Sequence, residues 1–361
     1  MGWPIFATAP PSLRWVAAAR HCRSITRLRY HQRVKFFAFL LVVLALAAAA
    51  VGFVVFVPNG PSVETFVDIA PGTSSRGMGQ RLAQAGVLRT QYAFDLLRLA
   101  KGGTLKAGEY RFDHPATAIE VYDRIAKGDV FTRAVTIPEG FNLWEIAAAV
   151  EGAGLASKTD FLQAERSNTA LIARWSPAAT TLEGYLFPDT YRFSRHTTPQ
   201  QMLAIMVRRF GRAMAELGQT SESGKAGDVA RIITMASLIE KEVRVDAERP
   251  MVAGVFENRL RLGMPLATDP AVIYAAMLDG RWRGTIYVSD LASQNAYNTY
   301  RHAGLPPGPI CSPGMAALRA ALHPTTTDNL YFVADAAGHT QFSSTLQQHA
   351  EKVQAYRKAM Q

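Results

Sequence analysis

Residues 36–57 read FFAFLLVVLALAAAAVGFVVFV, an unbroken apolar run of 22 residues with no charged side chain, closed by Pro58, Asn59, Gly60 and Pro61. As a helix it rises about 33 Å, enough to cross a hydrocarbon core of about 30 Å. The run divides the chain into a short leader, a span, and a large remainder that must fold as a separate body. Of the net charge of +10, most lies ahead of the span: Arg14, Arg20, Arg23, Arg27, Arg29, Arg33 and Lys35 precede it, and no acidic residue occurs before Glu64. The basic balance is therefore local, and no nucleic-acid partner is expected from it. Positive charge on the N-terminal flank predicts a basic cytoplasmic tail over 1–35 and sends residues 58–361 across the membrane. The expected location is the inner (cytoplasmic) membrane, single-pass, with the bulk of the chain extracytoplasmic. A cleaved signal peptide processed near Ala47 to Ala50 is the competing reading, but the leader and the run are both too long for one.

Cys22 and Cys311 fall on opposite sides of that membrane, so no disulfide framework or cysteine metal site is expected and packing must hold the exported fold. After the span the sequence repeats itself weakly. Val67, Ile69 and Gly72, then Gly86, match Val135, Ile137 and Gly140, then Gly154, at an offset of 68 residues. Each copy reads as a short strand, a Gly turn, an amphipathic helix and a terminating Gly. Between them, 92–101 and 118–127 read as helices and 108–112 as a strand. The region 62–156 resembles a LysM-like module, the small βααβ unit that binds N-acetylglucosamine-containing chains, although a purely structural spacer has the same pattern.

The stretch 228–243, DVARIITMASLIEKEV, predicts the helix around which the remainder is built. On a helical wheel Val229, Ile232, Ile233, Ala236 and Val243 share one apolar face, Glu240 falls within it, and Glu242 points almost opposite. A carboxyl set where a Leu normally sits is disfavoured in its charged form, which makes Glu240 the candidate catalytic acid. The plainer reading is a structural ion pair with an arginine such as Arg244 or Arg259, since Leu238 and Met235 would bury the helix on its far side too.

Other stretches carry chemistry-bearing residues. The segment 182–193 interleaves Tyr185, Phe187, Tyr191 and Phe193 with Glu183, Asp189 and Arg192, a composition that suits either sugar stacking or a core. Residues 252–261 predict an amphipathic helix, and Asp269-Pro270 the start of another. Tyr297, Asn298 and Tyr300 lead into the Pro/Gly-rich loop 304–314, a shaped wall or a stiff connector. A hairpin over 330–342 and a closing helix end the chain. His302, His323, His339 and His349 lack the spacing of a helical metal motif, and no complete GxGxxG, Walker loop or GxSxG occurs, so neither cofactor nor metal is expected.

Eight ordered segments, TIPEGF (136–141), LEGYLFPDTY (182–191), ASLIEKE (236–242), VFENRL (255–260), TDP (268–270), YNTY (297–300), GLPPGPI (304–310) and LYFVAD (330–335), together resemble the YceG-like (MltG) endolytic murein transglycosylase family. The resemblance spans essentially the whole exported part. It implies that the Glu opening the EKE triplet, Glu240, is catalytic, and that Glu183, Tyr185, Asp189, Asn258, Asp269, Tyr297, Asn298 and Tyr300 line the substrate cleft. Departures occur at Ala267 and Ala271, where the family commonly has Gln and Thr, and at Gln348-His349-Ala350, in place of Glu-His-Asn.

The fold expected is α+β: a single N-terminal transmembrane helix over 36–57, a LysM-like module over 62–156 and a mixed α+β catalytic domain over 157–361. The implied reaction is a lytic transglycosylation that cleaves the β-1,4 bond between N-acetylmuramic acid and N-acetylglucosamine inside peptidoglycan strands and leaves 1,6-anhydro ends, terminating nascent strands. Peptidoglycan, the membrane and peptidoglycan synthases are the expected partners. A hydrolase using a second carboxylate from Asp269, Glu183 or Asp189, and a non-catalytic wall-binding scaffold, are the rival readings.

Overall fold

The computed structural model describes residues 12–219 and 226–359; most of the polar stretch 221–227, expected as a loop, lies outside them. In chain order the elements are α1 (Ser12–Phe56), β1 (Thr65–Ile69), α2 (Ser75–Gln84), α3 (Gln91–Lys101), β2 (Gly108–Phe112), α4 (Ala118–Lys127), β3 (Arg133–Ile137), α5 (Leu143–Gly152), α6 (Lys158–Ser167), β4 (Asp189–Phe193), α7 (Pro199–Glu216), α8 (Ala226–Glu242), α9 (Arg249–Arg261), α10 (Asp269–Leu278), α11 (Val288–Leu291), α12 (Met315–Leu322), β5 (Tyr331–Ala334), β6 (Thr340–Ser343) and α13 (Leu346–Ala359). They form two compact units, Met1–Phe131 and Thr132–Gln361, and the class is mixed α+β.

In the first unit β1 and β2 pair antiparallel, Thr65 opposite Phe112 and Ile69 opposite Gly108, with α2 and α3 between them in the chain. Val67 and Ile69 alternate inward from β1, as a half-buried strand requires. Ser74 and Thr90 cap α2 and α3 by accepting from the backbone of Gly77 and Tyr92. A Thr117–Glu120 capping box starts α4, and Gly128, left-handed at φ 75°, ends it. Leu82, Phe94, Tyr110, Phe112, Tyr122 and Ile125 make the core. The last turn of α1 belongs to that core through Val55, which is 6% exposed. Within α1, Arg33–Phe56 is 24 residues long and, among the described residues, the one helix long and apolar enough to cross a membrane.

The second unit opens on the same motif. β3 and β4 pair antiparallel, Arg133 opposite Phe193, with α5 and α6 between them. The first residues of β1 and β3, and of α2 and α5, stand 68 apart, so the sequence offset is the spacing of two strand-helix-helix-strand motifs. The units divide between Phe131 and Thr132, and the second copy lies within the second unit.

Behind that motif, α8 is the central helix. Every residue from Ile233 through Ile239 is buried, because α9, α10 and α12 all pack on it. Small residues allow this close approach: Ala236 and Ser237 on α8, and Ala317, Ala320 and Ala321 on α12, are all at most 8% exposed. Ser237 keeps its hydroxyl satisfied by donating to the Thr234 carbonyl (2.7 Å) and accepting from the Ile310 amide (3.1 Å). A β5–β6 hairpin with α13 against it completes the unit.

Candidate active site

Three of the sequence segments converge on the C-terminal half of α8. Gly184 has φ +83°, and a Cβ there would stand 2.5 Å from Pro309 and 3.1 Å from Ile233, so only glycine lets the Pro/Gly loop pack down onto the helix. The loop is then stitched in place. Gly140 donates to the Ser312 carbonyl (2.9 Å), Ser312 donates back to Phe141 (2.8 Å), and the Gly314 amide donates to Oε2 of Glu240 (2.9 Å). A shaped wall, rather than a loose connector, is what 304–314 forms.

One oxygen of Glu240 carries both of its contacts. Oε2 also lies 2.9 Å from Nη1 of Arg249, both side chains being 6% exposed, in an ion pair whose angles fall outside those of a hydrogen bond. Arg249 in turn binds Asp246 at 2.9 Å. The partner is thus Arg249 and not Arg244 or Arg259. Glu139, the acidic residue of TIPEGF, packs beside this pair. Its carboxyl lies where a Cβ on Gly314 would be, and it accepts from the Met315 amide at the start of α12. Burial, then the neighbouring Glu240 charge, holds the Glu139 carboxyl above the usual range against the pull of Arg249.

Glu242, expected to face outward, is half-buried instead. A wheel treats the helix alone, whereas α9, α10 and α12 all pack on α8 and leave Lys241 as the exposed residue between Glu240 and Glu242. Burial, and secondarily the charge of Asp269, pushes the Glu242 carboxyl up to about 7, with Arg259 opposing. Among the described residues no ion pair or hydrogen bond engages it, although Arg259 is near. Two nitrogens of Arg259 serve carbonyls, Nε that of Leu330 (2.7 Å) and Nη1 that of Leu266 (2.8 Å), while its guanidinium lies over the Tyr331 ring at 5.4 Å. Asp269 accepts from the Tyr300 hydroxyl at 2.7 Å. Beside Asp269, Ala267 has φ +49°, the only positive φ of a non-glycine among the described residues, held by its amide on the Thr299 carbonyl (3.0 Å). Backbone strain of this kind concentrates at functional sites.

The remaining residues implied as cleft contacts separate. Asp269 and Tyr300 sit with Glu242. Glu183 and Tyr185, each 2% exposed, lie in the core, out of reach of a glycan. Oε2 of Glu183 accepts from the Leu143 amide and the Tyr274 hydroxyl (both 3.1 Å), and burial pushes the carboxyl up to about 8. Tyr185 stacks near Trp175 and Phe210, and Phe187, Tyr191 and Phe193 are likewise core. Asn298 is fully buried and ties its own turn by donating to the carbonyls of Leu291 and Ser293. Asn258 holds the 327–329 loop through the Thr327 and Asn329 carbonyls (2.6 and 3.1 Å). Tyr297 is half-buried, its ring 5.0 Å from that of Tyr274, and Asp189 is exposed on β4 in an ion pair with Arg209 (2.8 Å). Glu139, Glu242, Arg249 and Arg259 were not singled out by sequence pattern as site residues. Position within the TIPEGF and EKE segments was the available signal for the two carboxylates.

Two carboxyl groups thus stand at the end of α8 on a mixed α+β scaffold, Glu240 paired with Arg249 and Glu242 pushed up by burial. Residues 67–355 match the YceG-like family, and the chain belongs to that family. It is 32% identical over 306 residues to the endolytic murein transglycosylase of Bacillus subtilis (strain 168), covering 80% of this chain and 84% of that one. The endolytic murein transglycosylase of Streptococcus pneumoniae (serotype 2, strain D39) is 30% identical over 319 residues, 80% of this chain and 57% of that protein. A crystal structure of a YceG-like protein from Listeria monocytogenes superposes with a TM-score of 0.54 at 31% identity, over 80% of this chain and 98% of that one.

Proposed function

We infer that the chain is an endolytic murein transglycosylase, a lyase that cleaves peptidoglycan glycan strands from within, and that Glu242 is its acid. The observation that carries the assignment is the contrast between the two EKE carboxyls. Glu240 is occupied by Arg249 and the Gly314 amide, whereas Glu242 is unpaired among the described residues and pushed up to about 7 beside Asp269. A general acid works best with a pKa near the operating pH. Glu242 protonates the bridging oxygen between N-acetylmuramic acid and N-acetylglucosamine as that bond breaks. Its carboxylate then takes the proton from the C6 hydroxyl of the muramic acid as that oxygen closes on C1, giving a 1,6-anhydro end. The same residue acts as acid and then base, so no second carboxylate need attack the sugar. Asp269, held by Tyr300, favours the protonated form of Glu242 between turnovers. Glu240 with Arg249 and Glu139 braces the end of α8 against the start of α12.

The Arg33–Phe56 segment anchors the chain in the cytoplasmic membrane, with the basic tail inside and residues 58–361 on the outer side, close to newly made glycan. There the enzyme ends strand elongation. The strand-helix-helix-strand part of the first unit is a LysM-like module that grips the same glycan. Purified peptidoglycan incubated with the full-length protein in detergent and analysed by mass spectrometry tests the reaction. Fragments ending in a 1,6-anhydro sugar, one water lighter than reducing ends, are expected; reducing ends would mean that water is the acceptor and the enzyme a hydrolase.

A further inference from the structure

Helix α3 carries a face that the fold leaves uncovered. Tyr92, Leu96 and Leu99 are 63%, 44% and 86% exposed, whereas Ala93, Phe94 and Leu97 on its other side are buried in the core of the first unit. Spaced i, i+4 and i+7, the three lie within about 60° of arc, a single stripe, bordered by Asp95 on one side and Ala100 on the other. Contiguous exposed apolar side chains of this size mark an interaction surface.

The position of the stripe says what covers it. α3 packs on α1, and the chain entering α3 is tied to the point where the apolar span ends. Asn59 donates to the carbonyls of Gly86 (2.8 Å) and Val87 (3.3 Å), Arg89 donates to the Pro58 carbonyl (3.2 Å), and the Arg89 guanidinium lies over the Phe53 ring at 4.6 Å. Counted from Phe36, where the apolar run starts, Phe53 stands about 26 Å along the helix, still within the roughly 30 Å of a hydrocarbon core. Val55, one residue before the end of α1, is already part of the core of the unit. The unit therefore packs on the last turns of the apolar span itself, and Arg89, two residues before α3 begins, lies over Phe53 near the end of that span. Tyr92 on the first turn is of the residue type that favours the headgroup boundary, and the leucines beyond it supply the apolar face of an interfacial helix.

We propose that the stripe Tyr92, Leu96 and Leu99 rests in the headgroup boundary of the bilayer that holds α1, so that the first unit is seated on the membrane surface. The inference rests on the reading of Arg33–Phe56 as a membrane anchor. Its test uses the full-length protein with Cys22→Ser and Leu99→Cys, labelled with an environment-sensitive fluorophore and reconstituted into phosphatidylglycerol-containing vesicles. Cys311 is fully buried and stays unlabelled. A label at Arg166→Cys, whose side chain is 74% exposed in the second unit, serves as the reference. The label at 99, and one at Leu96→Cys, should be quenched by nitroxide-bearing lipid and reached by aqueous iodide several-fold less than the label at 166. Equal iodide access at 99, 96 and 166 in protein that floats with the vesicles overturns the stripe while the anchor stands. Protein that fails to float overturns the anchor, and the stripe with it.

Discussion

Replacing Glu242 by Gln should make the protein more stable above neutral pH, an unusual sign for a substitution in a functional cleft. In the folded chain burial and Asp269 raise this carboxyl from 4.5 to about 7, and unfolding returns it to the ordinary value. The folded state thus holds the proton more tightly. The contribution of Glu242 to stability is present in full below about pH 4.5 and is lost as the pH rises through about 7. At 1.36 kcal/mol per pH unit the loss is about 3 kcal/mol, and partial exposure trims it to about 2. A glutamine, neutral throughout, does not suffer it. Wild type and variant should converge near pH 4.5 and separate by about 2 kcal/mol at pH 8.5, which for a unit of this size is on the order of 4–8 °C in melting temperature. Urea titrations of the full-length protein in micelles, followed by tryptophan fluorescence from pH 4.5 to 8.5, read this directly. A variant less stable than wild type at pH 8.5, or a difference independent of pH, would refute the argument that burial holds Glu242 near neutrality.

Other consequences follow from the same geometry. Arg249→Met should destabilise the second unit by about 3–5 kcal/mol, since it leaves Glu240 buried and unpaired, and adding Glu240→Gln should recover a large part of the loss in the same urea assay. Gly184→Ala should cost about 2 kcal/mol or more, because φ is +83° and the new Cβ meets Pro309, and it should lower strand cleavage by displacing the 304–314 wall. Asp269→Asn removes a charge that raises the Glu242 carboxyl, so the alkaline limb of the pH–rate profile should move to lower pH; a limb that stays in place or moves up would count against that pairing.

Much of this organisation was legible in the sequence because it rests on periodicity and on glycine. The 68-residue offset, carried by two Val-x-Ile strands and their glycines, is the offset of two strand-helix-helix-strand motifs. Helix α8 was legible from its apolar spacing and the hairpin at the end from its alternation. The surroundings of the two carboxyls were not, because a wheel assumes one wet face. α8 is wrapped by α9, α10 and α12, so a carboxyl placed opposite the apolar stripe is buried as well, and which of Glu240 and Glu242 finds a counter-charge depends on Arg249 arriving from the next helix. Burial likewise claimed Glu183, Tyr185 and Asn298, whose polar atoms looked like sugar contacts and instead satisfy the backbone or pack in the core. Glu139 reaches the site only because Gly140 and Ser312 pin its loop to the Pro/Gly wall, a contact across more than 170 positions that no local pattern encodes.

The assignment of the acid is tested most directly by one comparison: rates of anhydro-end formation from purified glycan strands by wild type, Glu242→Gln and Glu240→Gln, each checked for folding. Loss of a general acid of this kind should lower the rate of Glu242→Gln by a factor of about 10²–10⁴, while Glu240→Gln, with Arg249 still held by Asp246, keeps measurable activity. Full activity in Glu242→Gln beside an inactive but folded Glu240→Gln would contradict the account and return the role to the carboxyl paired with Arg249.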